Sequence, residues 1–208
     1  MYLATTSTRE IRSALQDNHP NTGFISTPSS DRPTVANELS GLRWCADNGC
    51  FSDKFDEEKW WAWLSGKEPK DCLFAVAPDV VGDHQATLAR SLPWLPKIQS
   101  LGFPAAFVIQ DGAEIDTVPW DACDAIFIGG TTEFKLSDTA LGIIQEGKER
   151  GKWVHVGRVN SRRRFLRFAG IADSCDGTFL AFGPTRRLPE MLGWVREHQE
   201  RIPLWGDA

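Results

Sequence analysis

Short apolar runs recur along the chain, each closing on glycine or polar residues, and stretches of helical periodicity lie between them. The runs fall at residues 2–5, 23–26, 42–46, 73–77, 105–109, 125–128, 153–156 and 177–181, a pattern that predicts eight strands. Helices are predicted over residues 8–16, 57–64, 84–98, 138–148, 162–169 and 188–200, with Asp138 and Ser161 at N-cap positions. Eight strands alternating with helices imply a parallel sheet. The expected fold class is therefore α/β, a compact (β/α)8 TIM-type barrel, with a doubly wound open sheet as the alternative. The 208 residues stand near the lower length limit for that barrel, so some helices must be short or missing. Residues 27–41 read as a loop, and no repeat or linker divides the chain, so residues 1–208 are expected to form a single domain.

Composition narrows the class further. Nine Trp and twelve Phe against one Tyr and two Met point to a core closed by large aromatics, with some Trp available to stack on a ligand or to form a homodimer face. No apolar run approaches the roughly 20 residues of a membrane span, and the first residues lack a secretory leader's apolar stretch, so a cytoplasmic protein with no membrane partner is expected. Cys45, Cys50, Cys72, Cys123 and Cys175 form no C-x2-C pair and are read as reduced, buried thiols rather than metal ligands. A net charge of −5 opposes broad coating of a nucleic-acid backbone, yet residues 151–190 carry eight basic side chains against three acidic ones. That stretch, with Arg162, Arg163 and Arg164 at its centre, could hold phosphates or be a solvated helix face.

The strand ends carry the candidate chemistry. Asp47-Asn48-Gly49 follows the third strand, Pro78-Asp79 the fourth, Gln110-Asp111-Gly112 the fifth and Gly129-Gly130 the sixth. His155-Val156-Gly157-Arg158 closes the seventh, and Asp173-Ser174-Cys175-Asp176 is read as preceding the eighth. In a barrel all of these meet at the C-terminal face, where such enzymes hold their active sites. Any one of them is more simply a turn former. Together, several carboxylates around one pocket suit glycosidic-bond chemistry, in which one group attacks or stabilises an anomeric carbon while another moves a proton.

In this order the segments resemble the tRNA-guanine transglycosylase family over most of residues 42–180. The Val156–Ser161 and Asp173–Thr178 stretches look nearest its deazapurine DNA-modification branch. The resemblance implies that Asp176 is the nucleophile, forming a covalent sugar–aspartate intermediate, and that Asp47 acts in proton transfer. It also implies that Asp79, Gln110, Gly129 and Gly130 hold the base, while His155, Arg158, Arg162 and Arg163 contact sugar or phosphate. The family's zinc-binding cysteines have no counterpart here, so no metal and no cofactor is expected. The implied activity is exchange of a base in nucleic acid, DNA rather than tRNA, with a free nucleobase as co-substrate. Alternatives are a DNA glycosylase that hydrolyses the same bond, a catalytically silent nucleic-acid-binding module, and an unrelated barrel hydrolase acting on a small nucleoside.

Overall fold

A computed structural model describes residues 1–5, 8–31, 41–52 and 55–201. Eight parallel strands close into a barrel in chain order: β1 (Tyr2–Ala4), β2 (Thr22–Ser26), β3 (Trp44–Ala46), β4 (Cys72–Val76), β5 (Ala105–Ile109), β6 (Ala125–Ile128), β7 (Trp153–Val156) and β8 (Ser174–Gly177). Leu3 on β1 pairs with Asp176 on β8, which closes the ring and excludes the open sheet. The helices are α1 (Arg9–Asp17), α2 (Glu57–Ser65), α3 (His84–Ser91), α4 (Leu95–Ser100), α5 (Thr132–Lys135), α6 (Asp138–Glu149), α7 (Arg162–Phe168) and α8 (Pro184–Arg201).

Period-two alternation splits the apolar residues into two bodies. On β5, Ala106 and Val108 face the barrel interior with Leu3, Ile25, Cys45, Phe74, Val76 and Ala125. Ala105, Phe107 and Ile109 face outward into the larger layer between the strands and the helices. Helix starts share one device. Thr8, Asp56, Asp83, Thr131, Ser137 and Ser161 each accept a hydrogen bond from the backbone N–H three residues on. Such caps contribute about 1 kcal/mol each.

The structure corrects several local expectations. The cap of α6 is Ser137, and Asp138 is its first helical residue. The helix expected over 84–98 is two, α3 and α4, because Pro93 between them removes a backbone donor, while Pro96 sits in the first turn of α4, where none is needed. The short α5 was not expected. The largest correction concerns the last strand. The apolar run 177–181 is mostly a 3-10 turn (Phe179–Phe182), and β8 is the polar segment Ser174–Gly177 just before it. Most of the loop read over 27–41 lies outside the described residues, and residues 27–30 form a turn fastened by Thr27 and Ser30.

Candidate active site at the barrel mouth

The interior of β7 and β8 is polar where alternation elsewhere places Leu, Val or Phe. Trp153 Nε1 donates to Ser174 Oγ at 2.9 Å, and Ser174 Oγ lies 2.8 Å from His155 Nδ1. His155 Nε2 lies 3.0 Å from Asp176 Oδ2. Asp176 Oδ1 accepts from the Arg158 backbone N–H at 2.9 Å. A chain of four side chains thus climbs the barrel axis and ends on a carboxylate held at both oxygens. His155 is fully buried between the rings of Phe74 and Phe127, at centroid distances of 5.2 and 4.5 Å. It therefore stands beneath Asp176 and orients it, and is not placed at the rim beside a sugar or phosphate.

Asp47 closes β3 on the same inner face. Its Oδ1 accepts from Gly49 N–H at 2.7 Å, and its Oδ2 has no protein partner among the described residues. Burial pushes the Asp47 carboxyl up to about 6. The Gly49 N–H opposes that shift, and the negative charges of Asp176 and Asp79 add to it. Asp47 therefore exchanges a proton near neutral pH beside a second, fixed carboxylate.

Asp79 and Gln110 form a different kind of cluster. Asp79 accepts from Asn48 Nδ2 at 2.8 Å through Oδ1 and from Gln110 Nε2 at 2.6 Å through Oδ2. Gln110 Oε1 accepts from Gly82 N–H at 3.0 Å and from Gly130 N–H at 2.8 Å. Burial raises the Asp79 carboxyl while these donors resist the shift. One glutamine amide thus ties the loops after β4, β5 and β6 together. Gly130 has φ +70°, and a Cβ there would lie 2.5 Å from Asp111 Oδ2. A Cβ at Gly129 would lie 3.0 Å from a Val108 methyl and 3.2 Å from Gln110 Nε2. The two glycines are explained by these internal contacts, without a flat ligand lying against the backbone.

Lys135, at the end of α5, is a residue that sequence reasoning missed. It is 4% exposed, and its Nζ donates to Gly157 O at 2.8 Å. Burial and the nearby Arg158 push its ammonium down to about 8, against the pull of Asp176 and Asp111. Arg158 itself adopts φ +58°, and its guanidinium donates to Gly130 O and lies 4.8 Å from the centre of the Phe51 ring. A four-residue helix is too short to produce periodicity, so the sequence held no signal for Lys135. Ser174 could have been found by reading 174–177 as a strand, since it shares a face with Asp176.

The remaining candidates lie elsewhere. Arg162 is exposed and paired with Glu197 on α8, and Arg163 is exposed on α7. Arg167 donates to Leu136 O, and Arg187 donates to Phe179 O and stacks on Phe179. Arg162, Arg167 and Arg187 of the basic stretch are thus taken up by separate local partners. Asp173 receives Lys148 and the Val154 N–H before β8 begins, at the end of the barrel opposite Asp176. Burial pushes the thiols of Cys50, Cys72 and Cys175 up to about 12. Among the described residues, no three His, Cys, Asp or Glu side chains are grouped to hold a metal, and no helix is long and apolar enough to cross a membrane.

No protein-family model and no curated protein matches the chain. Solved structures do. KGPDC from Streptococcus mutans is 11% identical, with 99% of this chain and 98% of that chain covered at a TM-score of 0.61. Tryptophan synthase from M. tuberculosis is 16% identical, covering 95% and 89% at 0.55. An enolase-superfamily member from Listeria innocua is 12% identical, covering 84% and 48% at 0.53. At these identities the likeness shows the fold, a (β/α)8 barrel. The transglycosylase resemblance, and the nucleic-acid base-exchange activity drawn from it, are overturned: the chain is similar to tryptophan synthase, KGPDC and enolase-superfamily barrels, and no transglycosylase family model matches it. The physical reason lies in the motifs. Every barrel strand ends at one rim, so ordered Asp, Asn, Gln and Gly at that rim arise from turn and loop-tying needs alone, as they do at Asn48, Gln110, Asp111, Gly129 and Gly130.

Proposed function

We propose that the chain is an enzyme that performs general acid–base chemistry on a small polar metabolite bound at the C-terminal mouth of the barrel. One observation carries this reading: Asp47, with an oxygen that has no partner among the described residues and a carboxyl pushed up to about 6, feels the negative charge of Asp176 at the same mouth. Two carboxylates in unlike environments divide the labour of proton transfer. Asp47 gives or takes the proton, because its protonation state changes within the working pH range. Asp176, fixed through His155 Nε2 and the Arg158 N–H, presents a carboxylate of set orientation to the developing positive charge or to the second proton. The names of the similar barrels, tryptophan synthase and the enolase superfamily among them, support a small-molecule substrate over a polymer.

The test is turnover of a polar-metabolite mixture followed by mass spectrometry. Wild-type protein should convert at least one component. Asp47→Asn should slow that conversion by about 10²–10⁴-fold, the usual contribution of a positioned acid–base group. Conversion unchanged in both Asp47→Asn and Asp176→Asn would overturn the proposal.

A further inference from the structure

Among the described residues, two cations at the mouth have no carboxylate side chain as a direct partner. Lys135, from the loop segment after β6, reaches across to a carbonyl of the β7 loop, Gly157 O. Arg158, from the β7 loop, reaches back to a carbonyl of the β6 loop, Gly130 O. The two side chains cross in opposite directions between the same two loops, close enough to repel. Among the described residues, neither forms an ion pair with a carboxylate side chain. Asp176 meets the Arg158 backbone N–H and not its guanidinium, and Asp111 is taken up by the N–H and hydroxyl of Thr131.

A protein that desolvates one cation, sets a second beside it and gives each only a neutral carbonyl as direct partner leaves both able to bind an anion. An ammonium offers three donors and a guanidinium five, so each retains donors after its carbonyl bond. The backbone adds to the picture. Arg158 sits in the left-handed region, where a side chain other than glycine is strained, and that conformation turns its N–H toward Asp176 while its guanidinium lies over Gly130. Phe51, 70% exposed, flanks the guanidinium from the β3 loop and shields it from water on one side.

We propose that Lys135 and Arg158 form an oxyanion clamp that takes a phosphate or carboxylate group of the substrate, between the loops after β6 and β7. The acid–base reading gives this clamp its purpose, since a bound oxyanion would fix a small molecule with its reacting atoms toward Asp47 and Asp176. The ligand is therefore an anionic small molecule. Its charge supplies the counter-ion that the two side chains lack.

Titration calorimetry in chloride-free buffer, with inorganic phosphate and with acetate as separate probes, tests the clamp without knowledge of the substrate. Phosphate, acetate or both should bind wild-type protein, and whichever binds identifies the class of oxyanion. Lys135→Met should weaken that binding at least tenfold, and Arg158→Ala should weaken it similarly, while Lys135→Arg should retain it. In the wild type the affinity should hold below about pH 8 and fall above it, as the Lys135 ammonium loses its proton, whereas Lys135→Arg should show no such fall. Without ligand, Lys135→Met should melt no lower than wild type, because it removes a desolvated, repelled charge; a lysine that merely pinned Gly157 would melt lower on replacement. Asp47→Asn and Asp176→Asn should still bind the anion, so failure of the acid–base reading leaves this result standing. The proposal is overturned if neither anion binds at millimolar concentration, or if binding survives Lys135→Met and Arg158→Ala.

Discussion

His155 Nε2 stands 3.0 Å from Asp176 Oδ2 inside the barrel, on the neighbouring strand and one layer below the mouth. Trp153 donates to Ser174 Oγ, which leaves the serine hydroxyl hydrogen for His155 Nδ1. A neutral imidazole is then set as the Nε2–H tautomer, donating to Asp176. The relay thereby fixes the carboxylate from below.

Ser174→Ala tests the relay. It leaves Trp153 Nε1 and His155 Nδ1 without their shared partner in a buried place, so stability should fall by about 1–3 kcal/mol in a denaturant titration. Turnover should fall with it, since His155 no longer has a set tautomer. A neutral effect on both would show that the relay does not position Asp176.

Asp47 yields a pH-dependent prediction. Its folded-state carboxyl titrates at about 6, above the ordinary value of 3.8. A raised carboxyl favours the protonated form in the folded state, so the stability it contributes is complete below about pH 4. It is lost as pH rises to about 6. Asp47→Asn keeps the Gly49 N–H bond and cannot ionise. The variant should match wild type near pH 4 and exceed it by about 2 kcal/mol at pH 8, discounted for the partial exposure of Asp47. Equal stability of the two proteins at pH 8 would contradict the shift.

Gln110 ties three loops through one amide, and its loss should be felt at all of them. Gln110→Ala strips a partner from Gly82 N–H, Gly130 N–H and Asp79 Oδ2. The expected cost is about 2–4 kcal/mol by thermal melting, with faster hydrogen exchange at Gly82 and Gly130. Exchange unchanged at both glycines would show that the tie is not made in solution.

The strands were legible in the sequence where both faces are apolar. β5 and β6 fall where the pattern sets them, because residues such as Phe107 and Val108 are buried on opposite sides, and β7 does so through its outer Val154 and Val156, although its inner face carries His155. β8 was not legible. Its inner positions, Ser174 and Asp176, serve the site, so hydropathy skipped it for the neighbouring run, whose Phe182 is 72% exposed. The gathering of Asp47, Asp79, Gln110, Gly130 and Asp176 toward one end of the barrel was legible because every strand of a parallel barrel ends on the same face. Their chemistry was not. The same short Asp and Gly motifs that suggested base exchange are used here for turns and loop ties, and only contacts separate the two uses. Lys135 and the crossing with Arg158 depend on a four-residue helix and a left-handed backbone, neither of which leaves a pattern in sequence.

Asp47 exchanges its proton near neutral pH because it is buried beside Asp176. Carbon-13 NMR of the Asp47 side-chain carboxyl, followed from pH 3 to pH 9 in wild type and in Asp176→Asn, measures this directly. The wild-type midpoint should fall at about 6, and removal of the Asp176 charge should lower it without returning it to 3.8, because burial is the larger cause. A wild-type midpoint near the ordinary 3.8, unmoved in Asp176→Asn, would contradict the account.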